Sequence, residues 1–222
     1  MSGMRGTLSR QGIVEAAMGL LDREGEAGFS MRKLASELGV DPMALYHHHA
    51  SRRALMQEVM KALMLSCPLP APSGDWRADV RGLCQGLREL AHRHPGSFRA
   101  YVVFEDWVPA EHRLHEALYA TLLAAGFPGR DAVRAVRLLL SYTESFAVDE
   151  LTGWLEPMGP GERHALEASL ADGAFPAIAG LIETIASPDA EADFTFGLDV
   201  LLAGLGQVPR DAASATGYQQ PK

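Results

Sequence analysis

Apolar residues recur along this chain at the three-to-four spacing of a helix, and no stretch keeps the alternation of a half-buried strand. The first run predicts a helix from Ser9 to about Glu24, with Ile13, Ala16, Ala17, Leu20 and Leu21 on one face. Ser9 suits its N-cap, Leu8 and Ile13 a hydrophobic staple, and Gly25 the residue past its end. A second helix starts behind Ser30, is stapled by Phe29 and Leu34, and stops at Gly39. The third is short. Asp41 caps it, Pro42 takes the first helical position, where a missing N–H costs nothing, and Val40 staples to Leu45. A fourth opens at Ser51 and turns Leu55, Val59, Ala62 and Leu63 inward. Cap signals and apolar pattern agree four times in succession, which predicts a compact unit.

Three prolines among Cys67–Gly74 cannot continue a helix, so this stretch reads as a linker. Longer helices follow over about 75–93, 96–105, 109–125, 129–153, 162–186 (broken near Gly173) and 188–206. The residues after 206 are small and polar and read as a flexible tail. The expected fold is all-α: a three-helix helix-turn-helix head within residues 1–66, a linker over 67–74, and a larger antiparallel bundle over 75–206. The helices at 129–153 and 188–206 are apolar over much of their circumference. Each therefore needs cover on a second side, which a homodimer interface would supply.

Charge sharpens this division. The 222 residues carry a formal net charge of -8, yet residues 1–65 hold 8 Lys/Arg against 7 Asp/Glu. The acidity lies in the body, which would repel DNA, while a near-neutral head with placed arginines would not. The N-terminus lacks the apolar core of a secretory signal, and no apolar run is long enough to span a bilayer, so a cytoplasmic protein without membrane contact is expected. Two cysteines, Cys67 and Cys84, make no disulfide framework and read as reduced thiols.

Two helices joined at Gly39-Val40 form the helix-turn-helix pattern, whose second helix enters the major groove. With Leu45 turned inward by its staple, Met43, Tyr46 and His47 share the outer face, flanked by Pro42 and Ala44. That face has no Arg, Asn or Gln, so base discrimination there rests on thymine methyl contacts and His47 donors. Arg32 is the sharper reader, suited to a guanine edge, and Lys33 suits a phosphate. Ser51, Arg52 and Arg53 open the fourth helix as a phosphate clamp, helped by Tyr46, His48, Ser9 and Arg10. A plainer reading stays open for each: a solvated face for Arg52 and Arg53, and an ion pair with Glu37 for Arg32.

From Leu8 to Leu65 these residues resemble the N-terminal domain of TetR-family repressors. The resemblance is carried by Ile13-Val14-Glu15-Ala16-Ala17, Phe29-Ser30-Met31-Arg32-Lys33-Leu34-Ala35, Glu37-Leu38-Gly39-Val40, Leu45-Tyr46 with His48, and Arg52-Arg53-Ala54-Leu55. More loosely, Ala125-Gly126-Phe127 and the block from Phe194 to Leu198 are similar to the tetracycline-repressor type of regulatory domain. The resemblance implies a homodimer on a palindromic operator, released when a small molecule spreads the two heads. It implies DNA contacts at Arg32, Met43, Ala44, Tyr46, His47, His48 and Arg52. His49 departs from the pattern, because a large apolar residue usually stands there. We expect it partly inside the head, hydrogen-bonded and neutral.

Candidates for the ligand pocket are Phe98, Tyr101, Val102, Phe104, Trp107, Tyr142 and Phe146, with Trp154 beyond them. Phe98–Trp107 is the densest cluster and suits an apolar effector. His47-His48-His49 cannot converge on one ion, since successive helical residues point about 100° apart. His112, His115 and Glu116, with Asp149 and Glu150, leave a metal chelate open beside the plainer reading of surface polar groups, and no cofactor is expected. No nucleophile elbow, Walker loop, Rossmann glycine set or zinc-protease motif is present, so an enzyme is not expected. The alternatives to a ligand-responsive repressor are a helix-turn-helix regulator without effector and a protein-interaction module.

Overall fold

The computed structural model describes residues 8–106 and 108–210. Among the described residues the regular structure is helical, with no strand. They fall into two compact units: residues 8–144 with Pro209 and Arg210, and residues 145–208.

The first unit opens with α1 (Arg10–Gly28), α2 (Met31–Leu38), α3 (Pro42–His48) and α4 (Arg52–Leu65). Each begins as its sequence dictates: Ser9, Ser30, Asp41 and Ser51 accept a backbone N–H two or three residues on. The backbone leaves helical geometry at Gly25, where the first helix was expected to stop, and then resumes to Gly28. Gly39 ends α2 at φ 67°, a left-handed conformation that disfavours any side chain, and α3 turns away from it. Ile13, Ala17, Leu20, Leu21, Leu34, Leu45, Leu55, Val59 and Leu63 are at most 1% exposed and form one core under the four helices. Burying each large side chain of this set stabilises the head by about 1.5–3 kcal/mol.

Residues 66–75 are non-helical, as three prolines require. Then come α5 (Trp76–Arg93), α6 (Pro95–Val102), a short 3-10 turn (Pro109–Glu111), α7 (His112–Ala124) and α8 (Gly129–Leu151). The helix expected to reach residue 105 ends at Val102. α6 packs chiefly on α1, so a piece of the body lies directly on the head. Both thiols, Cys67 and Cys84, are free and buried, and burial pushes each up to about 11, which leaves them protonated and inert.

α8 carries the chain into the second unit. There α9 (Pro160–Ser169), α10 (Pro176–Gly180), α11 (Ile182–Ile185) and α12 (Ala190–Leu205) follow. The single interrupted helix expected over 162–186 is thus three short ones: α9 and α10 are parted by a segment through Gly173 at φ 75° that ends at Pro176, and α10 and α11 by Leu181. The core of this unit is α12: Phe194, Leu198 and Leu202 are buried, and the Phe194 ring meets Phe146 edge-on at 5.3 Å. None of the residues of α9, α10 or α11 is buried.

Candidate DNA interface and ligand cleft

The surface of the head around α3 follows from one buried side chain. Leu45 is fully enclosed, which turns Met43 (62% exposed), Tyr46 and His47 outward and leaves Pro42, Ala44 and His48 half-buried beside them. Arg32 and Lys33, in the first turn of α2, are exposed. Arg32 makes no ion pair with any described residue, because Glu37, its possible partner, is taken by Arg23 at 2.6 Å. Lys33 pairs with Glu24 at 2.8 Å and holds that carboxyl below the usual range. Arg52 pairs with Glu26 at 3.2 Å and lies over the Phe29 ring. These are exposed pairs that add little to stability and leave both cations free to exchange a carboxylate for another anion. Arg53 turns the other way: its Nε donates to Asp106 at 2.6 Å, its Nη2 makes a second bond there, and Gln57 adds a third. The N-terminus of α4 is thereby tied to the segment after α6.

His49 is 1% exposed, and neither ring nitrogen has a hydrogen-bond partner. The expected hydrogen-bonded, partly buried ring is therefore corrected on two counts: burial is complete, and partners are absent. Burial lowers its pKa.

The junction between head and body is built on Asp22 in α1. It accepts from the backbone N–H of Ser97 at 2.8 Å and bonds to His94 Nδ1 at 2.9 Å, while the Ser97 hydroxyl donates to the Met18 carbonyl. Sequence reasoning did not single out these residues, because a half-buried Asp and a helix-opening Pro95-Gly96-Ser97 carry no periodic signal.

At the other end of α6 lies a cleft of about 320 Å3. Tyr101, Val102 and Phe104 line it, together with Glu111, His115, Arg137, Leu140, Ser141 and Glu144. The Tyr101 hydroxyl bonds to Glu111, and burial with the two carboxylates raises its pKa. Glu144 is pushed up to about 7, by burial first and by Glu111 second, so it holds its proton near neutrality. The other pocket candidates lie elsewhere. Phe98 is shut in the core, 5.9 Å from the Tyr101 ring; Tyr142 is half-buried; Phe146 packs on Phe194 in the second unit; Trp154 is 81% exposed. Trp107 lies outside the described residues. Glu111 and Glu144 escaped the sequence reading, although an acidic residue amid the apolar stripe of α8 was a visible anomaly. A larger groove of about 560 Å3 opens between Pro70, Pro72 and Trp76 and the alanine face of α7. No three His, Cys, Asp or Glu side chains among the described residues stand close enough to hold a metal ion.

Family models decide what these surfaces belong to. That of the "bacterial regulatory proteins, tetR family" matches residues 13–59, and that of the "tetracyclin repressor-like, C-terminal domain" matches residues 68–208. The chain belongs to the TetR family. TetR-family regulators are DNA-binding transcription factors, not enzymes, and this chain is one by both its head and its body. It is 28% identical over 214 residues to the HTH-type transcriptional repressor DrrR1 of Streptomyces coeruleorubidus, covering 91% of this chain and 79% of that one. A possible TetR-family transcriptional regulator of Streptomyces coelicolor A3(2) superposes with a TM-score of 0.78 at 29% identity, over 90% of this chain and all of the other. The TetR-family protein ActR of Streptomyces coelicolor, solved in complex with actinorhodin, superposes at 0.77 with 26% identity, over 95% of this chain and all of the other. Among the described residues of this TetR-family chain, no helix is long and apolar enough to cross a membrane.

Proposed function

We propose that this protein is a homodimeric repressor that binds a palindromic operator and is released by a small, largely apolar molecule. The observation that carries the reading is the double attachment of α6. Its first turn is bonded to α1 of the head through Asp22, and its last residues, with Phe104 beyond, line the 320 Å3 cleft. A ligand seated against Tyr101, Val102 and Phe104 would shift α6 and with it the head. ActR, solved with actinorhodin, supports a bound effector in a related fold.

In this reading residues 1–66 are the DNA-binding domain, 67–74 the linker and 75–206 the regulatory domain. Arg32 reads a guanine edge. Met43, Ala44, Tyr46 and His47 meet bases along the groove, and Pro42 lets the backbone approach. Lys33 and Arg52 hold phosphates after leaving their carboxylates, and His48 holds another. The dimer forms through α8 and α12. Phe196, Val200 and Ala203 follow one another at i, i+4 and i+7, and Phe196 and Val200 are 72% and 54% exposed, an apolar stripe suited to a second copy.

Selection from random duplexes by the full-length protein tests the proposal. It should return an inverted repeat, with affinity falling steeply as salt rises because several phosphates are contacted. Enrichment of no sequence, or an affinity indifferent to salt, would overturn it.

A further inference from the structure

The buried imidazole of His49 sits at a mechanically important point. It is the C-cap of α3, its N–H bonded to the Leu45 carbonyl at 2.9 Å, and Ser51, the N-cap of α4, stands two residues on. The ring is therefore buried beside the junction of α3 and α4, within reach of Arg10 of α1 and Glu58 of α4. It is 1% exposed, and both nitrogens are sealed from solvent without a hydrogen-bond partner. A neutral ring tolerates this poorly, and an imidazolium, with two N–H donors and a full charge, cannot tolerate it.

The charged or titratable groups whose fields reach the ring are few. They are Arg10 from α1, Glu58 from α4 and His48 beside it in α3. The Arg10 guanidinium and His48 oppose a positive ring, as burial does more strongly. Glu58 and the Arg10 backbone favour it, without any bond of hydrogen-bond geometry. No carboxylate is bonded to the ring, and burial opposes a charge there more strongly than Glu58 and the Arg10 backbone favour it, so protonation favours the opened turn over the closed one.

We infer that His49 is an acid-sensitive lock on the recognition helix: neutral, it closes the turn between α3 and α4; protonated, it opens that turn and releases DNA. The inference rests on the reading that this head binds DNA. The sign follows from linkage. An unfolded or opened head takes up a proton near the ordinary histidine value of about 6.5, and the closed head does not. The stabilisation is thus present above that pH and is lost as the pH falls below it.

The test compares full-length wild type with His49→Leu and His49→Phe on the selected operator from pH 8 to 5.5 at constant salt. The two variants should share one pH profile, since neither carries the buried ring. Once opened heads predominate, wild type should lose affinity relative to them by about tenfold per pH unit for each head, about a hundredfold for the two heads of a dimer. Parallel profiles for all three proteins would overturn the inference. The second arm needs no DNA and no substitution: the ring resonances of His49 in histidine-labelled wild type. They should stay those of a neutral ring until the head opens. Normal titration near pH 6.5 inside an intact head would overturn the lock. If no duplex is bound at any pH, the DNA reading fails, and this arm still decides whether the ring gates opening.

Discussion

Gly96 lies against the backbone carbonyl of Leu21, so close that a β-carbon added there would stand 1.9 Å from that oxygen. This contact presses the first turn of α6 onto α1, beside the Asp22 bonds to His94 and Ser97. Body and head therefore meet backbone to backbone, with no long side chain between them to absorb a displacement.

Gly96→Ala is expected to force α6 off α1, because the obstructing atom is backbone and cannot rotate away. Overpacking of this kind costs about 1–3 kcal/mol. The urea midpoint should fall, and in the proposed mechanism operator binding should lose its response to effector more than its basal affinity. Unchanged stability would mean that the helices are not seated as closely as the geometry shows.

Arg32→Ala should cost about 1–3 kcal/mol in operator affinity and relax the preference at one base pair. Lys33→Ala and Arg52→Ala should weaken binding uniformly across sequences and lower the salt slope by about one phosphate each. Affinities on a panel of single-base operator variants, measured at several salt concentrations, separate the two kinds of loss.

Glu144 gives the body its own pH dependence. Its carboxyl is pushed up to about 7 by burial and by Glu111, against an ordinary value near 4.3, so the folded state binds its proton more tightly than the unfolded chain. Stability from this group is present below the unfolded value and is lost as the pH rises through the folded one. Glu144→Gln should therefore stabilise the protein at pH 8 by about 1–3 kcal/mol, with little effect at pH 5. Urea midpoints at the two pH values read this directly, and equal shifts at both would refute it.

Phe196→Asp places a charge in the middle of the exposed apolar stripe of α12. If that stripe faces a second copy, sedimentation should show a monomer where wild type is a dimer, and operator affinity should fall with it. A wild type that sediments as a monomer at micromolar concentration removes the basis of the prediction.

The head was almost wholly legible in advance, because its signals are local. Ser30, Asp41 and Ser51 cap their own helices, Gly39 supplies its own turn, and Leu45 defines both an inner and an outer face within seven residues. The pocket was legible only in part. A run of aromatics from Phe98 to Phe104 is one cluster in sequence, yet α6 buries Phe98 and turns Tyr101 to the cleft, which Phe104 joins from beyond the helix end. Glu111 and Glu144 stand 33 positions apart; burial raises the proton affinity of both, and Glu111 raises that of Glu144 further.

What the order of residues determined by itself is the all-helical class, the helix-turn-helix and the exposed side chains of its second helix, since period, caps and turn geometry act within a few positions. Tertiary structure alone decided which of two neighbouring arginines, Arg52 or Arg53, is bound to the body, and that His49 is sealed without a partner. It alone decided, too, that α6 rests on α1 through Gly96. Each of these depends on groups brought together from distant parts of the chain, and the burial, charge and close approach they produce do not exist until the helices have packed.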